Sequence, residues 1–442
     1  MVLVYAPYIT ARLQYVMNYV FEEQFGLEYK IINNENEFIN SKTEAKIIYS
    51  KTNIDNGVYF FSYDLLFEND IKEFDLYSAE VNNTIALFKH DKKDSLGFDV
   101  FASIFYLISR YEEYLQKPTD KFGNYDFKNS ILHKLNCMYI PVVEQWMEML
   151  KKVLAEKFPA LRFKQSSPKF VLSFDVDVAY AYQNRSLIRT AGGLVKKLFS
   201  LKLADLKDQI YTLLHIRKDM FNTYEYIFSK IKNTKAIFFF NMGRYAKYDK
   251  NPSHKNKAFQ KLIKQIHSKN LVELHPSYAS NSNYNLISKE KKWLEEIVGE
   301  KIISGRQHYL KLEMPATYQQ LIANEIQNDF TIGYGSAYGF RAGTCRSFLF
   351  FDLKKDEATN LRLFPFAIME GTLNDVMQLS VDESKEIISD LVNVVCKYEG
   401  IFISIWHNST LSDKDEWKGW RDAFEFMLDK IEKAKLVNLF DS

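Results

Sequence analysis

Apolar and polar positions in the first 160 residues predict a mixture of short strands and amphipathic helices. Short apolar runs are typical of strands, and apolar residues at helical spacing are typical of helices that pack on one face. These patterns predict two strands, Val2–Tyr5 and Leu27–Ile32, and three helices, Ala11–Phe25, Phe98–Leu115 and Val142–Phe158. We expect residues 1–160 to form a smaller α/β domain at the N-terminus.

The pattern changes after residues 161–168, a turn-rich stretch that contains Gln165-Ser166-Ser167-Pro168. From there on, short apolar runs alternate with helical stretches. The predicted strands are Phe170–Phe174, Ala236–Asn241, Val272–Leu274, Lys301–Ser304, Thr331–Gly333, Ser347–Asp352, Phe364–Met369 and Ile401–Trp406. Repeated βα units favour a parallel (β/α) barrel over residues 168–442, and in such barrels functional residues gather at the carboxyl ends of the strands.

Composition excludes several classes of protein. The 58 Lys and Arg residues nearly balance the 56 Asp and Glu residues, for a net charge of +2, so no global charge draws the chain to nucleic acid. The cysteines, Cys137, Cys345 and Cys396, lie far apart, which excludes a cysteine zinc knuckle and argues against a disulfide framework. No signal peptide pattern is present, and no apolar run approaches the roughly 20 residues of a membrane span. We therefore expect a soluble, cytoplasmic protein.

Two carboxylates follow the first predicted barrel strand. Asp175 and Asp177 end the run Phe170–Asp177, and residues two apart on extended backbone point to the same side. Two converging carboxylates need a cation or a shared proton, which favours one metal ligand and one general base. The alternative is a pair of solvated loop acids that cap the next helix.

Three histidines follow other apolar segments. His275 comes directly after a predicted strand, His308 follows the next one, and His407 ends the last. Together with Asp177 they offer nitrogen and oxygen ligands for a divalent metal and leave residues for acid–base chemistry. The alternative for each is a structural histidine.

A glycine-containing turn at residues 339–344 carries Arg341. Turns of this kind expose backbone N–H groups that can hold an oxyanion. The alternative is a tight turn with a surface arginine.

These residues occur in the order of the motifs of a known family. The segment from about Pro168 to the C-terminus, about 60% of the chain, resembles the polysaccharide deacetylases. These form the NodB-homology family of metal-dependent carbohydrate de-N-acetylases. The whole chain is most similar to a bacterial subgroup with an extra, uncharacterised N-terminal domain. The matching segments are Phe174–Asp177 (first motif), Lys235–Phe240 (second strand), His275 (histidine motif), Arg341–Gly343 (third motif) and the strand that ends at His407 (last motif).

The resemblance implies a distorted (β/α) barrel of the NodB-homology type and a role for each matching residue. Asp175 would be the base, oriented by Arg341, and His407 would be the general acid. Asp177 and His275 would hold a divalent metal, with zinc expected. The resemblance further suggests an oxyanion contact near Thr344 and sugar stacking on Tyr278, Trp406 and Tyr338, for which ordinary packing is the alternative.

The chain departs from the family pattern at its histidine motif. Position 279 is alanine where the family has a second histidine, so we expect His308 to supply that ligand from the next strand. The alternative is that Arg306 and His308 flank the site while water fills the position. The third motif lacks its usual proline and tyrosine, and Glu370 is the nearest acidic candidate for the fourth.

The expected function is removal of an acetyl or other acyl group from an N-acetylated sugar or related amide by a metal-dependent hydrolase. The alternative is a catalytically inactive glycan-binding or assembly protein that retains the barrel. The expected partner is a carbohydrate or another acylated amide, and nucleic acid is not expected.

A long insertion at residues 185–219 separates the first two predicted barrel strands. It holds eight basic residues against three acidic ones, with leucines between them. This composition is typical of a segment that contacts a membrane surface or an anionic glycan. The alternative is a solvated crossover helix with lysine stems lying over apolar surface.

Overall fold

The computed structural model of the chain describes residues 1–74, 76, 78–81, 84–115, 119–201, 203–232 and 234–441. The chain divides into two compact units. The first unit contains Met1–Ser167, Glu313–Tyr318 and Phe340–Pro365, and the second contains Pro168–Leu312, Gln319–Gly339 and Phe366–Ser442. Two segments that the sequence analysis assigned to the barrel, 313–318 and 340–365, therefore belong to the first unit.

The strands, in chain order, are β1 (Val2–Tyr5), β2 (Tyr29–Ile32), β3 (Ala45–Ser50), β4 (Val58–Phe61), β5 (Ala79–Val81), β6 (Thr84–Ala86), β7 (Lys169–Val176), β8 (Ile237–Asn241), β9 (Leu271–His275), β10 (Ser304–Gly305), β11 (Asn328–Asp329), β12 (Phe348–Asp352), β13 (Glu357–Leu363), β14 (Ile368–Met369), β15 (Ile401–His407) and β16 (Val437–Asn438).

The α-helices are α1 (Ala11–Met17), α2 (Glu35–Asn40), α3 (Val100–Ile108), α4 (Ile131–Lys134), α5 (Val142–Lys157), α6 (Leu187–Phe199), α7 (Leu203–Leu213), α8 (Tyr224–Ile231), α9 (Lys257–His267), α10 (Asn285–Val298), α11 (Ala316–Ala323), α12 (Val381–Lys397) and α13 (Trp420–Lys433). None of the helices among the described residues is both long enough and apolar enough to cross a bilayer.

A four-stranded parallel sheet, in the order β2-β1-β3-β4, forms the centre of the first unit. Helix α1 continues directly into a π-helical segment, Asn18–Gln24, and together they match the predicted helix over Ala11–Phe25. Helix α3 is shorter than the predicted Phe98–Leu115. It begins after Asp99, whose carboxylate accepts the N–H of Ala102, and ends before Arg110, whose φ of 55° is incompatible with a right-handed helix.

The segment predicted as the barrel strand Ser347–Asp352 lies in the first unit instead. It forms β12, which pairs antiparallel with β13. Strand β13 was not predicted because polar residues outnumber apolar ones in it, and Glu357, Ala358 and Asn360 are exposed. An antiparallel hairpin also needs no helix between its strands, so the βα pattern used to place this strand did not apply.

The centre of the second unit is a row of parallel strands in the order β11-β10-β9-β8-β7-β15-β14, with β16 also paired to β7. The N–H of Phe366, just before β14, donates to the carbonyl of Ile332, just after β11, at 3.0 Å, which links the two ends of the row. Parallel strands joined through helices confirm the predicted α/β class.

The register of the central strands brings their carboxyl ends together. His407 of β15 pairs with Asp175 of β7, and Asn241 of β8 pairs with His275 of β9. Adjacent strands lie about 4.8 Å apart, so side chains at these positions that point to the same side can meet.

Candidate metal centre and catalytic groups

Three side chains in the second unit converge on one point. Asp177, His275 and His308 each offer a ligand atom, and these atoms lie within 4.8 Å of one another. Asp177 follows β7, His275 ends β9, and His308 begins a short 3-10 turn after β10. The structure thus brings together the three residues that the sequence analysis expected to bind metal, including the histidine expected from the next strand.

The two histidines present the same ring atom to Asp177. Nε2 of His275 lies 3.0 Å from Oδ1 of Asp177, and Nε2 of His308 lies 3.3 Å from Oδ2. Nδ1 of His275 donates to the backbone carbonyl of Arg306, and Nδ1 of His308 donates to Oδ1 of Asp249 at 2.8 Å. Histidines that bind metals commonly hold the other ring nitrogen this way, because the outer hydrogen bond fixes the tautomer.

A cation suits the electrostatics of this cluster. Oδ1 of Asp177 is buried and faces Nε2 of His275 at 3.0 Å without a well-aligned hydrogen bond, which leaves an ionised carboxylate poorly compensated in a protein interior. Burial alone would raise the pKa of Asp177, but His308 and His275 hold it well below its usual range. The side chain of Asp177 is still 29% exposed, so the cluster is open to solvent on one side. The donor set and its opening fit a divalent metal with a free coordination position.

Asp249 lies behind His308 and is the outer carboxylate of the cluster. It is almost fully buried, and it also accepts the amide of Asn241 and the N–H of Tyr278, each at 3.0 Å. Burial would lower the pKa of His308, but Asp177 and Asp249 together raise it to about 9. Burial would likewise raise the pKa of Asp249, which contact with His308 lowers. Asp249 therefore fixes the direction of the His308 ring and, together with Asp177, favours its charged form.

Asp175 lies beside the cluster and is held by an arginine. Its Oδ1 is 2.7 Å from Nη1 of Arg306, which also donates to the hydroxyl of Ser173 at 2.9 Å. Nε of Arg306 donates to the carbonyl of Phe330, and the guanidinium is fully buried. The other carboxylate oxygen of Asp175 lies 3.8 Å from Nε2 of His275. Asp175 is thus fixed as an ion pair with one oxygen directed to the cluster.

His407 also faces Asp177 and is held by Glu370. Oε1 of Glu370 accepts both the backbone N–H and Nδ1 of His407 at 2.7 Å, and also the hydroxyl of Thr410 at 2.7 Å. Nε2 of His407 is left 3.5 Å from Oδ2 of Asp177. Burial would lower the pKa of His407, but Glu370 and Asp177 raise it to about 10. The ring is therefore a proton donor at neutral pH.

Aromatic rings form a wall next to His308. The Tyr309 ring lies 4.6 Å from the His308 ring, and the Tyr278 ring lies 4.3 Å from that of Tyr248 and 5.7 Å from that of Tyr309. Tyr278 is half-buried, and Tyr309 is 38% exposed. These three tyrosines thus give solvent-accessible aromatic surface beside the cluster. Of the three, only Tyr278 was a candidate in the sequence analysis.

The structure corrects the expected role of Arg341. The arginine that contacts Asp175 is Arg306, whereas Arg341 belongs to the first unit and donates to both carboxylate oxygens of Glu113, at 2.8 and 2.6 Å. Burial alone would raise the pKa of Glu113, but Arg341 and Arg110 lower it. The guanidinium of Arg341 is thus committed to a buried ion pair within its own unit.

Thr344 and Trp406 do not have the surroundings expected of substrate contacts. Thr344 lies in the first unit, fully buried, and its hydroxyl donates to Glu144. Trp406 is 2% exposed and packs against Phe424 of α13 with ring centroids 5.0 Å apart. Because neighbouring residues on a strand point to opposite faces, Trp406 cannot face the cluster when His407 does.

Several residues of the site were missed or undervalued in the sequence. Asp249 lies in a polar loop eight residues after β8, and no apolar strand leads into it, so no pattern marks it. Arg306 was weighed only as a flanking residue, although its position two residues before His308 was a usable signal. Glu370 was considered only as the nearest acidic candidate for the fourth motif, although it also follows a predicted strand.

Comparisons with known proteins separate the two parts of the chain. Residues 2–159 match the model of a family of unknown function, DUF7033. A search of curated proteins finds no match.

Solved structures that resemble the chain include polysaccharide deacetylases. The polysaccharide deacetylase Bc1974 from Bacillus cereus is 14% identical, and the alignment covers 61% of this chain and 90% of that one with a TM-score of 0.30. Puue allantoinase is 10% identical over 63% of this chain and 92% of that one, with a TM-score of 0.41. A pseudoenzyme of the CE4 family from Bacillus anthracis is 12% identical over 62% of this chain and 65% of that one, with a TM-score of 0.29.

Proposed function

We propose that the second unit is a metal-dependent hydrolase that removes an acetyl or other acyl group from an N-acetylated sugar or a related amide. The observation that carries this proposal is the convergence of Asp177, His275 and His308 within 4.8 Å. Two imidazoles and a carboxylate form a ligand set of catalytic zinc sites, which keep one position open. A bound divalent cation, with zinc expected, would supply Lewis-acid chemistry by activating water and polarising an amide carbonyl.

Asp175 acts as the general base in this proposal. A base must be ionised and must lie within hydrogen-bond reach of the proton that it takes. Nη1 of Arg306 holds one carboxylate oxygen of Asp175 at 2.7 Å, and the second oxygen is directed to the ligand cluster. Asp175 takes a proton from the attacking water, and Arg306 holds the carboxylate in place while the proton moves.

His407 acts as the general acid. When an amide is cleaved, the leaving nitrogen must gain a proton, because an amine anion does not leave unassisted. Glu370 fixes the ring through Nδ1, so Nε2 is the atom that faces the site. The raised pKa of His407 keeps the Nε2 proton in place until the leaving nitrogen takes it.

The tyrosine wall supports a carbohydrate substrate. Sugars present apolar C–H faces, and a surface built from aromatic rings offers the matching apolar contact. The hydroxyl groups at the ring edges add hydrogen-bond partners for sugar hydroxyls. Tyr278 and Tyr309 are the residues that we expect to contact the sugar next to the scissile amide.

The test is hydrolysis of a panel of N-acetylated oligosaccharides and an aryl acetamide by the full chain loaded with zinc, cobalt or nickel. We expect free amine and acetate to appear in equal amounts. The double variant Asp177→Ala, His275→Ala should release neither product. Asp175→Asn should retain metal and lose turnover. Metal-loaded protein that binds the oligosaccharides but releases no acetate from any of them would contradict the proposal and favour the inactive glycan-binding alternative.

A further inference from the structure

Helices α6 and α7 form a hairpin, Leu187–Leu213, whose outer surface is apolar and open to solvent. Phe199 and Leu201, at its tip, are 83% and 80% exposed. Exposed apolar residues also run along both helices and the segment after them: Leu187, Val195, Leu198, Leu203, Ile210, Leu214 and Ile216. Single exposed apolar residues are ordinary, but nine of them between residues 187 and 216 indicate an interaction surface.

The hairpin is held by polar contacts at its inner side and its base. Gln209 of α7 is buried, donates to the carbonyl of Thr190 at 3.2 Å and accepts Nζ of Lys197 at 2.9 Å. Asp219 closes the base, where its carboxylate accepts the backbone N–H groups of residues 181–183 at 2.8 to 2.9 Å. These contacts fix the two helices against each other without using the apolar outer residues.

The alternative from the sequence analysis was a solvated crossover helix. In that arrangement, lysine stems would lie over those apolar residues and shield them from water. Lys197 shows the opposite arrangement, since its ammonium group turns inward onto Gln209 and the ring of Tyr182, 3.9 Å from the ring centroid. Phe199 and Leu201 remain among the most exposed apolar side chains of the described residues. Among the described residues, therefore, nothing covers Phe199 and Leu201 at the tip of the hairpin.

Charge identifies the class of partner. Residues 185–219 carry eight basic and three acidic side chains, a net charge of +5, although the placement of Lys202 falls outside the described residues. A second copy of the same surface would meet this charge with its own. A soluble anionic glycan would neutralise the charge but leave Phe199 and Leu201 in water. A bilayer with anionic headgroups satisfies both, because basic residues bind the headgroups while apolar residues enter the boundary with the acyl chains.

We propose that the hairpin Leu187–Leu213 docks the protein on the surface of an anionic membrane, with Phe199 and Leu201 inserted and the net positive charge of residues 185–219 attracted to the headgroups. The attachment is peripheral and reversible, because a few partly inserted side chains contribute far less than a membrane-spanning helix. It is independent of the metal cluster and of the reaction proposed above.

The experiment is sedimentation of the full chain with vesicles of phosphatidylcholine alone and of phosphatidylcholine mixed with phosphatidylglycerol. We expect binding to the anionic vesicles that weakens as salt is raised, since screening acts on exposed charges. The double variant Phe199→Ser, Leu201→Ser should bind at least about tenfold more weakly, because it removes two large apolar side chains from the insertion. The matched control Ile322→Ser changes an exposed apolar residue outside the hairpin and should bind as the parent does.

The variants must first show the circular dichroism spectrum and the melting temperature of the parent, which exposed positions should preserve. A Leu201→Cys variant that carries an environment-sensitive dye on the introduced thiol gives a second measurement, since the dye emission should shift to the blue on anionic vesicles. Failure of the parent chain to bind anionic vesicles would overturn the proposal. Equal binding by the parent and the double variant would also overturn it. Two further results would overturn the proposal if vesicle binding is absent. One is a dimer in sedimentation velocity that depends on Phe199 and Leu201, and the other is heparin binding that depends on them.

Discussion

Asp249 offers the sharpest perturbation of the candidate metal centre, because it acts through His308 and does not itself belong to the ligand set. Its Oδ1 is 2.8 Å from Nδ1 of His308, and both groups are almost fully buried. Two substitutions divide its contribution. Asp249→Asn keeps an oxygen that can accept the Nδ1 proton but removes the charge, whereas Asp249→Ala removes both.

The expected magnitudes follow from the role of outer carboxylates in metal sites. Loss of such a partner lowers metal affinity by about 10- to 100-fold, or about 1.4 to 2.7 kcal/mol. Because Asp249→Asn retains the hydrogen bond, we expect its loss of metal affinity to be about 10-fold. For Asp249→Ala we expect a loss of about 100-fold. The alanine variant also leaves the N–H of Tyr278 and the amide of Asn241 without their acceptor, so a lower melting temperature should accompany it.

Competition against a chromophoric chelator measures the affinity for zinc and cobalt directly. Asp352→Asn is the matched control, because Asp352 is buried to the same degree as Asp249 but belongs to the first unit. It should bind metal as the parent does. Parent-like affinity in both Asp249 variants would refute the assignment of His308 as a ligand oriented by Asp249.

Other predictions concern protons and stability. Because Asp177 and Asp249 raise the pKa of His308 to about 9, zinc must displace a proton from it at neutral pH, and affinity should rise about tenfold per pH unit up to about pH 9 in a pH series of chelator competitions. Asp175→Asn should keep the metal, measured by elemental analysis, and lose turnover by roughly 10²- to 10⁴-fold. Retained activity with lost metal would instead make Asp175 a ligand. Burial raises the pKa of Glu144 from 4.5 to about 7, so its contribution to stability is present below about pH 4.5 and is lost as pH rises through about 7. This is about 3 kcal/mol, and Glu144→Gln should flatten the fall in melting temperature between about pH 5 and pH 8.

The sequence predicts the fold best where hydrophobic patterns are strong. The long strands β7, β8 and β15 were placed within two residues because unbroken apolar runs mark buried parallel strands. β10 and β11 each have only two residues, so their predicted positions shifted toward nearby apolar residues. Strand β12 was placed within one residue, but its antiparallel partner β13 was missed, because polar residues outnumber apolar ones in it.

For the site, the sequence predicts the strand-end residues but not their supporting partners. Asp175, Asp177 and His275 were marked by the apolar strands that precede them. The partners came from elsewhere: Arg306 rather than Arg341 holds Asp175, and Asp249 lies in a loop without a periodic pattern. The sequence could have excluded Trp406 as a sugar contact. It precedes His407 on the same strand, so its side chain must point to the other face.

The most direct test of the metal centre is anomalous diffraction at the zinc edge from crystals of the chain grown with zinc. We expect one strong peak among Asp177, His275 and His308, with a ring nitrogen of each histidine about 2.1 Å from the ion. Asp249 should stay hydrogen-bonded to Nδ1 of His308. A peak coordinated by Asp177 and His275 while the His308 ring lies beyond reach would contradict the ligand assignment, and the absence of any peak at this cluster would contradict the metal centre itself.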